Sequence, residues 1–317
     1  MNEWSPPQPK LDLQAALTAS LRDVSAYQGQ GSLPSYIPAL SQVSPNKLGA
    51  AIALGDGGAF VAGDGDEPFS IQSISNVFTL SLALQHLGAA LFNRVGKEAS
   101  GSATNSIVQL ELEKGKPRNP LINSGALVVD DQLIGGDSGD VAIDELLQFL
   151  RERSGEEGIA IDEKVAISES QAGSLNRSLA HYIAAFGNLS HPVEEVVSVY
   201  FRQCAIAMTC RQLARAALYL AFDGIDPITG DQVILPNRCR RILALMMTCG
   251  HYDNSGDFAF RIGLPGKSGV GGGILVVVPN VGAAAVWSPG LNASGTSLAG
   301  TMLLEKLVER TGWSVFG

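Results

Sequence analysis

Strand-like segments lie at both ends of this chain, and helix-like segments fill its middle. Five segments have the apolar and β-branched patterns of strands: residues 48–54, 59–62, 258–262, 273–278 and 283–288. The first two flank a hairpin signal, Gly55-Asp56-Gly57-Gly58, and the last two flank a turn at Pro279-Asn280. Because strands do not alternate with helices, a βαβ series is excluded. The order predicts an α+β fold whose antiparallel sheet is built from both ends of the chain.

Eight segments show the spacing of apolar residues that is typical of helices. They are residues 11–27, 75–92, 140–153, 178–186, 193–204, 211–222, 238–249 and 298–311. The segment 75–92 is apolar on every side, which predicts a buried central helix. Pro120 suits the first turn of a further helix. We therefore expect a sheet-containing domain from residues 1–72 and 251–317, an inserted and mainly helical domain from 73–250, and an active site between them.

Composition limits the partners and the compartment. Lys and Arg number 22 against 31 Asp and Glu, and the net charge of −9 disfavours nucleic acid and anionic membranes. The start of the sequence lacks the basic and apolar regions of a signal peptide, and every long apolar run is interrupted, so no membrane span is expected. The four cysteines and four histidines show no metal-ligand spacing, which predicts buried free thiols in a cytoplasmic protein without a metal site.

Ser73 lies where a strand-like run turns into the predicted central helix. Backbone N–H groups and the positive end of the helix dipole meet at such a position. Penicillin-recognising serine hydrolases place S-x-x-K here, because residues i and i+3 share a helix face and the lysine amine can take the serine proton. In this chain the i+3 residue is Asn76. Taken alone, Ser73 could equally be a helix N-cap.

The segment Gly266-Lys267-Ser268-Gly269-Val270-Gly271-Gly272-Gly273 precedes a predicted strand. It is similar to the K-T-G signature of the same hydrolases. Its glycines let a substrate lie against the strand edge, where backbone N–H groups can form an oxyanion hole. Alone, a glycine-rich turn before a strand is common, and Lys267 could be a surface charge beside it. The order of the two motifs is more informative than either one.

Over nearly its whole length, the chain resembles bacterial glutaminases of the serine-dependent β-lactamase and penicillin-binding-protein superfamily. Six ordered segments carry it: PSYIPAL, FSIQSISNVFTL, RNPLINSGALVV, ISESQAGSLNR, VYFRQC and CGHYDNSGDFAFRIGLPGKSGVGGGILVVVPN. The resemblance implies a β-lactamase-like fold and hydrolysis of L-glutamine to L-glutamate and ammonia through an acyl-enzyme. It also implies a homodimer or homotetramer that needs no metal or organic cofactor.

The resemblance also assigns site residues. Ser73 would be the nucleophile, Tyr252 would assist proton transfer, and Val270 would supply an oxyanion-hole N–H together with that of Ser73. Position 76 is the lysine position of the family. The substrate would contact eight residues: Tyr36, Ser73, Asn123, Glu169, Asn176, Tyr200, Tyr252 and Val270.

Elementary chemistry agrees with a pocket for a free amino acid. A zwitterion needs a carboxylate for its ammonium group and neutral donors for its carboxylate, which Glu169 and the Asn and Tyr side chains could supply. Glu169 and Asn176 are seven residues apart, so a continuous helix would place both on one face. Without the resemblance, Glu169 would be a surface acid, the tyrosines packing residues, and Asn123 a turn or cap.

Asn76 is the main departure from the family pattern. An amide can hydrogen-bond but cannot accept the serine proton, so we expect impaired activity. Asn76 could be an engineered change, or a natural one with Tyr252 or Lys267 taking over proton transfer, or the mark of a silent protein that binds glutamine or glutamate. A penicillin-recognising hydrolase shares the motif logic, and asparagine differs from glutamine by only one methylene.

Overall fold

The computed structural model describes residues 11–100 and 107–317 of the chain. Residues 1–10, on which the signal-peptide expectation rests, lie outside the described part. The helices are α1 (Leu13–Asp23), α2 (Ser75–Leu87), α3 (Ile107–Leu112), α4 (Asn123–Ile134), α5 (Gly139–Ser154), α6 (Glu163–Ala172), α7 (Ser174–Ala185), α8 (Val193–Cys204), α9 (Cys210–Ala216), α10 (Leu218–Ala221), α11 (Pro236–Cys249), α12 (Ser255–Arg261) and α13 (Leu298–Thr311). The strands are β1 (Gly49–Leu54), β2 (Ala59–Gly63), β3 (Phe69–Ser70), β4 (Ala160–Ile161), β5 (Ile206–Met208), β6 (Gly266–Ser268), β7 (Gly273–Val278) and β8 (Gly282–Trp287).

The two ends of the chain build one antiparallel sheet, as predicted. Its strand order is β2-β1-β8-β7-β6, so the first hairpin pairs directly with the last one. In the central register Ala51 lies opposite Ala285, which lies opposite Leu275 on the other side. The turn between β7 and β8 passes through Asn280, whose φ of 60° is a left-handed conformation that Asn tolerates well. The mixed α+β class and the antiparallel sheet are confirmed.

Both faces of this sheet are covered. On one face α1 and α13 pack together and bury a cluster that includes Leu17, Ile52 and Leu303. On the other face α9 contacts β1 and β8, and the apolar core continues from the sheet into the helices of the middle of the chain. Every residue of β7 and β8 is buried, which explains why both read as unbroken apolar runs in the sequence.

Helix α2 is the buried central helix that the sequence predicts, since ten of its residues are buried. Together with the short turns that flank it, α2 forms a helical segment from Gln72 to Asn93 that is long and apolar enough, by length and composition alone, to cross a membrane. Of this segment's most apolar window, 72% is buried inside the protein. Core helices of soluble proteins share these properties.

Three further strands are short: β3, in the strand-like run before Ser73, and β4 and β5 in the middle of the chain, which the sequence did not predict. They form a second sheet of order β3-β5-β4. Its strands have two or three residues, too few for a period-2 pattern to be visible in sequence. The sheet ties the segment that leads into α2 to the start of α9. The division of the chain into two domains at residues 72 and 251 remains a prediction.

Three local predictions are wrong. The predicted strand at 258–262 belongs to helix α12 and its C-cap residue Ile262. Phe258 and Ile262 are buried one helical turn apart, while Phe260 is 93% exposed. The helix predicted to start at Pro120 begins at Asn123. The continuous helix that would carry Glu169 and Asn176 is interrupted at Gly173, between α6 and α7.

Candidate active site

Ser73 lies in a short 3-10 turn, Gln72–Ile74, that leads directly into α2. The preceding residue, Gln72, has φ of 50°, in the left-handed region that non-glycine residues rarely adopt. This conformation is held by contacts on both sides, because the Gln72 side chain donates to Ser70 Oγ at 2.9 Å and the Ser75 hydroxyl donates to the Gln72 carbonyl at 2.8 Å. Backbone strain of this kind is common at functional sites.

The glycine-rich segment packs directly against the backbone that precedes Ser73. A Cβ atom at Gly269 would lie 2.5 Å from the Ile71 carbonyl oxygen, and one at Gly271 would lie 2.3 Å from the Ser70 carbonyl oxygen. Only glycine allows this approach. The Trp287 indole N–H donates to the Gly271 carbonyl at 3.0 Å and fixes the segment from the sheet side.

A cavity of about 470 Å³ opens beside Ser73. All eight residues of the predicted substrate site line it: Tyr36, Ser73, Asn123, Glu169, Asn176, Tyr200, Tyr252 and Val270. They come from six different stretches of the chain, which only the folded structure brings together. Gln72 and the loop Leu291–Gly295 also line the cavity and were missed. Gln72 adjoins the motif serine, so its position was available from the sequence, whereas nothing in the pattern of the final loop pointed to the cavity.

Glu169 lies on α6 with only 5% of its surface exposed. Burial raises its pKa to about 7, and the neighbouring Gln72 side chain acts in the opposite direction. Among the described residues no Lys, Arg or His forms an ion pair with it. The pocket therefore holds a buried carboxyl group whose missing counterion a bound ammonium group could provide.

Asn123 and Asn176 meet across the cavity, where Asn123 Nδ2 donates to Asn176 Oδ1 at 3.0 Å. The break at Gly173 makes room for Phe201, since a Cβ at that glycine would lie 2.2 Å from Phe201 Cζ. Glu169 and Asn176 still face one cavity, on two helices rather than one.

The three tyrosines differ in their surroundings. Tyr200 and Tyr252 are buried, and burial raises the pKa of both phenols, that of Tyr252 to about 12. Tyr252 lies near enough to Ser73 for the serine hydroxyl to act against this rise, and its φ of 60° makes it a second strained residue at the cavity. Tyr36 is 61% exposed and lies at the rim of the cavity. A phenol that shares the cavity with the Ser73 hydroxyl is placed to take part in proton transfer there.

Asn76 is buried one helical turn after Ser73 but does not line the cavity. Its Oδ1 accepts a hydrogen bond of 3.0 Å from Gln203 Nε2. Among the described residues, neither Asn76 Nδ2 nor Gln203 Oε1 has any other protein partner. The side chain is thus engaged with α8 and makes no hydrogen bond to Ser73 within the described residues.

Two simpler expectations are also resolved. Lys267 is fully buried, so it is not a surface charge beside a turn. All four cysteines are free and buried, as predicted. The described residues contain no group of three or more His, Cys, Asp or Glu side chains placed to hold a metal ion.

The fold and the position of Ser73 define the class of β-lactamase-like proteins, in which a serine at the start of a buried helix faces a glycine-rich strand. Comparison with known proteins narrows this class. The family model described as Glutaminase matches residues 31–316. The chain belongs to the glutaminase family.

The chain aligns with individual relatives over nearly their full length. The chain is 57% identical over 306 residues to the glutaminase of Rhizobium rhizogenes, with 96% of this chain and 99% of the relative covered. A solved structure of a probable glutaminase, ybaS, is 35% identical with a TM-score of 0.89, covering 96% and 99% of the two chains. A Bacillus subtilis glutaminase solved as a covalent complex with 5-oxo-L-norleucine is 32% identical with a TM-score of 0.85, covering 96% and 99%.

Proposed function

We propose that this member of the glutaminase family hydrolyses L-glutamine through an acyl-enzyme on Ser73, at a rate reduced by the absence of a lysine at position 76. One observation carries the proposal. The eight residues selected from the sequence line a single cavity, and that cavity contains the serine, a buried carboxyl group and neutral donors together.

In this proposal the cavity wall binds the α-ammonium and α-carboxylate groups of the substrate. Glu169 pairs with the α-ammonium group, which replaces the counterion that the buried carboxyl group lacks. Asn123, Asn176 and Tyr200 offer neutral donors to the α-carboxylate, and Tyr36 covers the substrate at the rim. Because these contacts fix the amino-acid end, the length of the side chain decides whether its amide reaches Ser73.

The chemical step is acyl transfer. Ser73 Oγ attacks the carbonyl carbon of the side-chain amide while Tyr252 relays the hydroxyl proton, its phenol oxygen taking up that proton as the phenol proton leaves. The N–H groups of Ser73 and Val270 stabilise the oxyanion. The proton then passes to the leaving nitrogen, ammonia departs, and water hydrolyses the acyl-enzyme to glutamate. The covalent complex of the Bacillus subtilis relative supports a covalent route.

The test is ammonia release from L-glutamine by the wild-type protein and by Asn76→Lys, with Ser73→Ala as the inactive control. General-base loss commonly costs about 10²–10⁴ in rate, so the lysine variant should gain at least about 10²-fold. If the folded Asn76→Lys variant shows no gain, the role assigned to position 76 is wrong. Activity that survives in Ser73→Ala would exclude the acyl-enzyme.

A second candidate is a protein that binds glutamine or glutamate without turnover. The burial of Asn76 against Gln203 favours it, because this hydrogen-bonded amide cannot take the serine proton. Calorimetric titration with both amino acids distinguishes the two functions. Binding of glutamine with no ammonia released over hours would select the silent protein.

We further propose a cytoplasmic homodimer or homotetramer that works without a metal or organic cofactor and does not bind nucleic acid or membranes. The free buried cysteines fit a reducing compartment, and the net charge of −9 opposes polyanion binding. Light scattering after size-exclusion chromatography measures the assembly. A monomer at micromolar concentration would contradict this part of the proposal.

A further inference from the structure

Lys267 is a fully buried cation that has no acidic partner. It lies in β6 with no exposed surface. Its ammonium group donates to the Ser268 carbonyl at 2.7 Å, and within the described residues no carboxylate lies within ion-pair distance of it. Burial of an unpaired charge is costly, so such a lysine is retained against a free-energy penalty.

The side chain of Lys267 reaches the catalytic neighbourhood through Tyr252. Its Nζ lies over the Tyr252 ring, 4.2 Å from the ring centroid, and Tyr252 and Ser73 line the same cavity. Tyr252 therefore connects the buried amine to the cavity that contains the serine. Asn76 hydrogen-bonds with Gln203 and does not line this cavity.

We propose that Lys267, acting through Tyr252, supplies the proton acceptor that position 76 lacks. The inference rests on the proposed function and deepens it, because it names the group that allows residual turnover. Lys267 does not line the cavity, so it is a positioning and proton-holding residue behind Tyr252.

The proton balance is simple. When Ser73 Oγ forms its bond to the amide carbon, the hydroxyl proton passes to the Tyr252 oxygen as the phenol proton passes to the neutral Lys267 amine. The transfer requires Nζ to move from the face of the Tyr252 ring, where it lies 4.2 Å from the centroid, to the hydroxyl at the ring edge. As the C–N bond breaks, the same proton returns through Tyr252 to the leaving nitrogen, which departs as ammonia.

The electrostatic surroundings support an amine that can be neutral. Burial lowers the pKa of Lys267 to about 7. The titratable groups that face it are Tyr252, Cys204, Cys249 and His251. None of these is a carboxylate, and burial raises the pKa of both thiols, so they remain protonated near neutral pH. Around neutral pH a substantial fraction of Lys267 is then ready to accept a proton.

The test combines two positions. Lys267→Met removes the amine and Lys267→Arg keeps the charge but cannot accept a proton; both are made in the wild-type protein and in Asn76→Lys. In the wild-type background both should lower kcat by about 10²-fold or more with little change in KM. In Asn76→Lys, where a lysine at the family position does this work, the same changes should cost at least about tenfold less. Lys164→Met, on the exposed side of α6, is the surface control.

The pH profile of kcat separates proton acceptance from support of the fold. In the wild-type protein kcat should rise with pH through about 7, as Lys267 loses its proton. Glu169 titrates in the same range only without substrate, because a bound ammonium group lowers its pKa. The rise in kcat should be absent from Lys267→Met, and calorimetric titration with glutamate should show that this variant still binds.

Three results would overturn the inference. One is an unchanged kcat and pH profile in Lys267→Met. Another is an equal loss in both backgrounds, which would assign Lys267 a purely structural role. The third is a wild-type protein that releases no ammonia while Asn76→Lys does. That last result would keep the proposed glutaminase function and reject only the role of Lys267. Inactivity of every variant would reject the proposed function itself.

Discussion

Glu169 shows how burial can prepare a single carboxyl group for one type of ligand. In the free protein burial raises its pKa to about 7, so part of the population is neutral at physiological pH. Glu169→Gln should raise KM for glutamine and weaken glutamate binding by about 10–100-fold, since a charge-assisted hydrogen bond contributes about 1.5–3 kcal/mol. Calorimetry and steady-state kinetics measure both. Glu163→Gln, at the exposed start of the same helix, should change neither.

The same group makes substrate affinity depend on pH. Ammonium binding needs the ionised carboxylate, so affinity should increase as pH rises through about 7 and level off above it. Glu169→Gln should remove this dependence. A wild-type affinity that is flat between pH 6 and 8 would show that Glu169 does not carry the ammonium contact.

Two adjacent buried acids on α4 lead to opposite predictions. Asp131 accepts hydrogen bonds from the backbone N–H groups of Ser190 and His191, both at 2.8 Å, and from Arg94 at 3.0 Å. Asp130 has no partner for either oxygen among the described residues, and burial raises its pKa well above the ordinary value. The hydrogen bonds of Asp131 thus compensate for its burial, whereas an ionised Asp130 is a cost to the fold.

Replacement of each acid by Asn tests this difference. Because the folded-state pKa of Asp130 is raised, the native state holds its proton longer and wild-type stability falls as pH rises above about 3.8. Asp130→Asn should therefore stabilise the protein by about 1–3 kcal/mol at pH 8 and by less at pH 5. Asp131→Asn should destabilise it by about 2 kcal/mol or more at pH 8. Urea denaturation at both pH values measures the change in the free energy of unfolding for each variant. Equal effects of the two changes would contradict the assignment.

At the residue scale, the sequence could identify side chains with a motif but not their burial. Ser73 and Val270 lie in recognisable motifs, and the family resemblance added the other six residues of the predicted substrate site. Among the described residues the Asp130 side chain has no hydrogen-bond partner and Lys267 has no carboxylate partner. The sequence could not show this, because it depends on which helices and strands pack around the two residues. A charged residue in a sequence can lie either at the surface or in the interior of the folded protein.

At the scale of elements, close contact with the backbone before Ser73 holds the glycine-rich segment in place. Gly271→Ala would place a methyl group 2.3 Å from the Ser70 carbonyl oxygen, so the segment must move away from Ser73. We expect a stability loss of about 1–3 kcal/mol and a fall in kcat of about tenfold or more, since small displacements of reacting groups are costly. Ammonia release and thermal unfolding measure the two effects.

Gly256 is the matched control for that change. It lies on the exposed face of α12, where an added Cβ meets nothing within 4 Å. Gly256→Ala should leave kcat unchanged and stabilise the protein by about 0.5–1 kcal/mol, because alanine is the better helix former. Full activity in Gly271→Ala would show that the close approach to Ser70 is not needed for the site.

Helix α12 also shows why short elements escape sequence analysis. Phe258, Phe260 and Ile262 are apolar at every second position, which predicts a strand. In the structure Phe260 is 93% exposed, so the alternation that suggested a strand includes a residue that packs on nothing in the described chain. Phe258 is instead buried and stacks on His251, with ring centroids 3.4 Å apart. That tertiary contact has no signature in the sequence.

At the scale of the whole molecule, the order of strands and helices along the chain was enough to predict one sheet from both ends. The pairing of β1 with β8 follows from that order, because a buried apolar strand needs neighbours on both sides. The second sheet could not be predicted, since it joins strands of two or three residues from distant parts of the chain. Its contact with the main sheet runs through Phe69 and Trp287, whose parallel rings lie 5.0 Å apart.

One apolar cluster includes residues of the main sheet, such as Leu275, and residues of α5, such as Leu146 and Leu150. A continuous core couples the stability of the parts that share it. The sheet and the helices should therefore unfold in one transition, although the sequence predicts two domains. Native-state hydrogen exchange tests this by comparing the opening free energies of β7 and α5, which we expect to agree within about 0.5 kcal/mol.

Leu304→Ala makes the test selective, because Leu304 is fully buried on α13 against the sheet face that lies away from the helical part. Such a truncation costs about 2–5 kcal/mol. With a shared core, the opening free energy of α5 should fall by the same amount as that of β7, whereas exposed Glu309→Ala should change both by less than about 0.5 kcal/mol. A loss confined to β7 would mean that the sheet unfolds alone. The cavity joins Glu169 to Val270 across this boundary, so it would then be lost before the helices unfold.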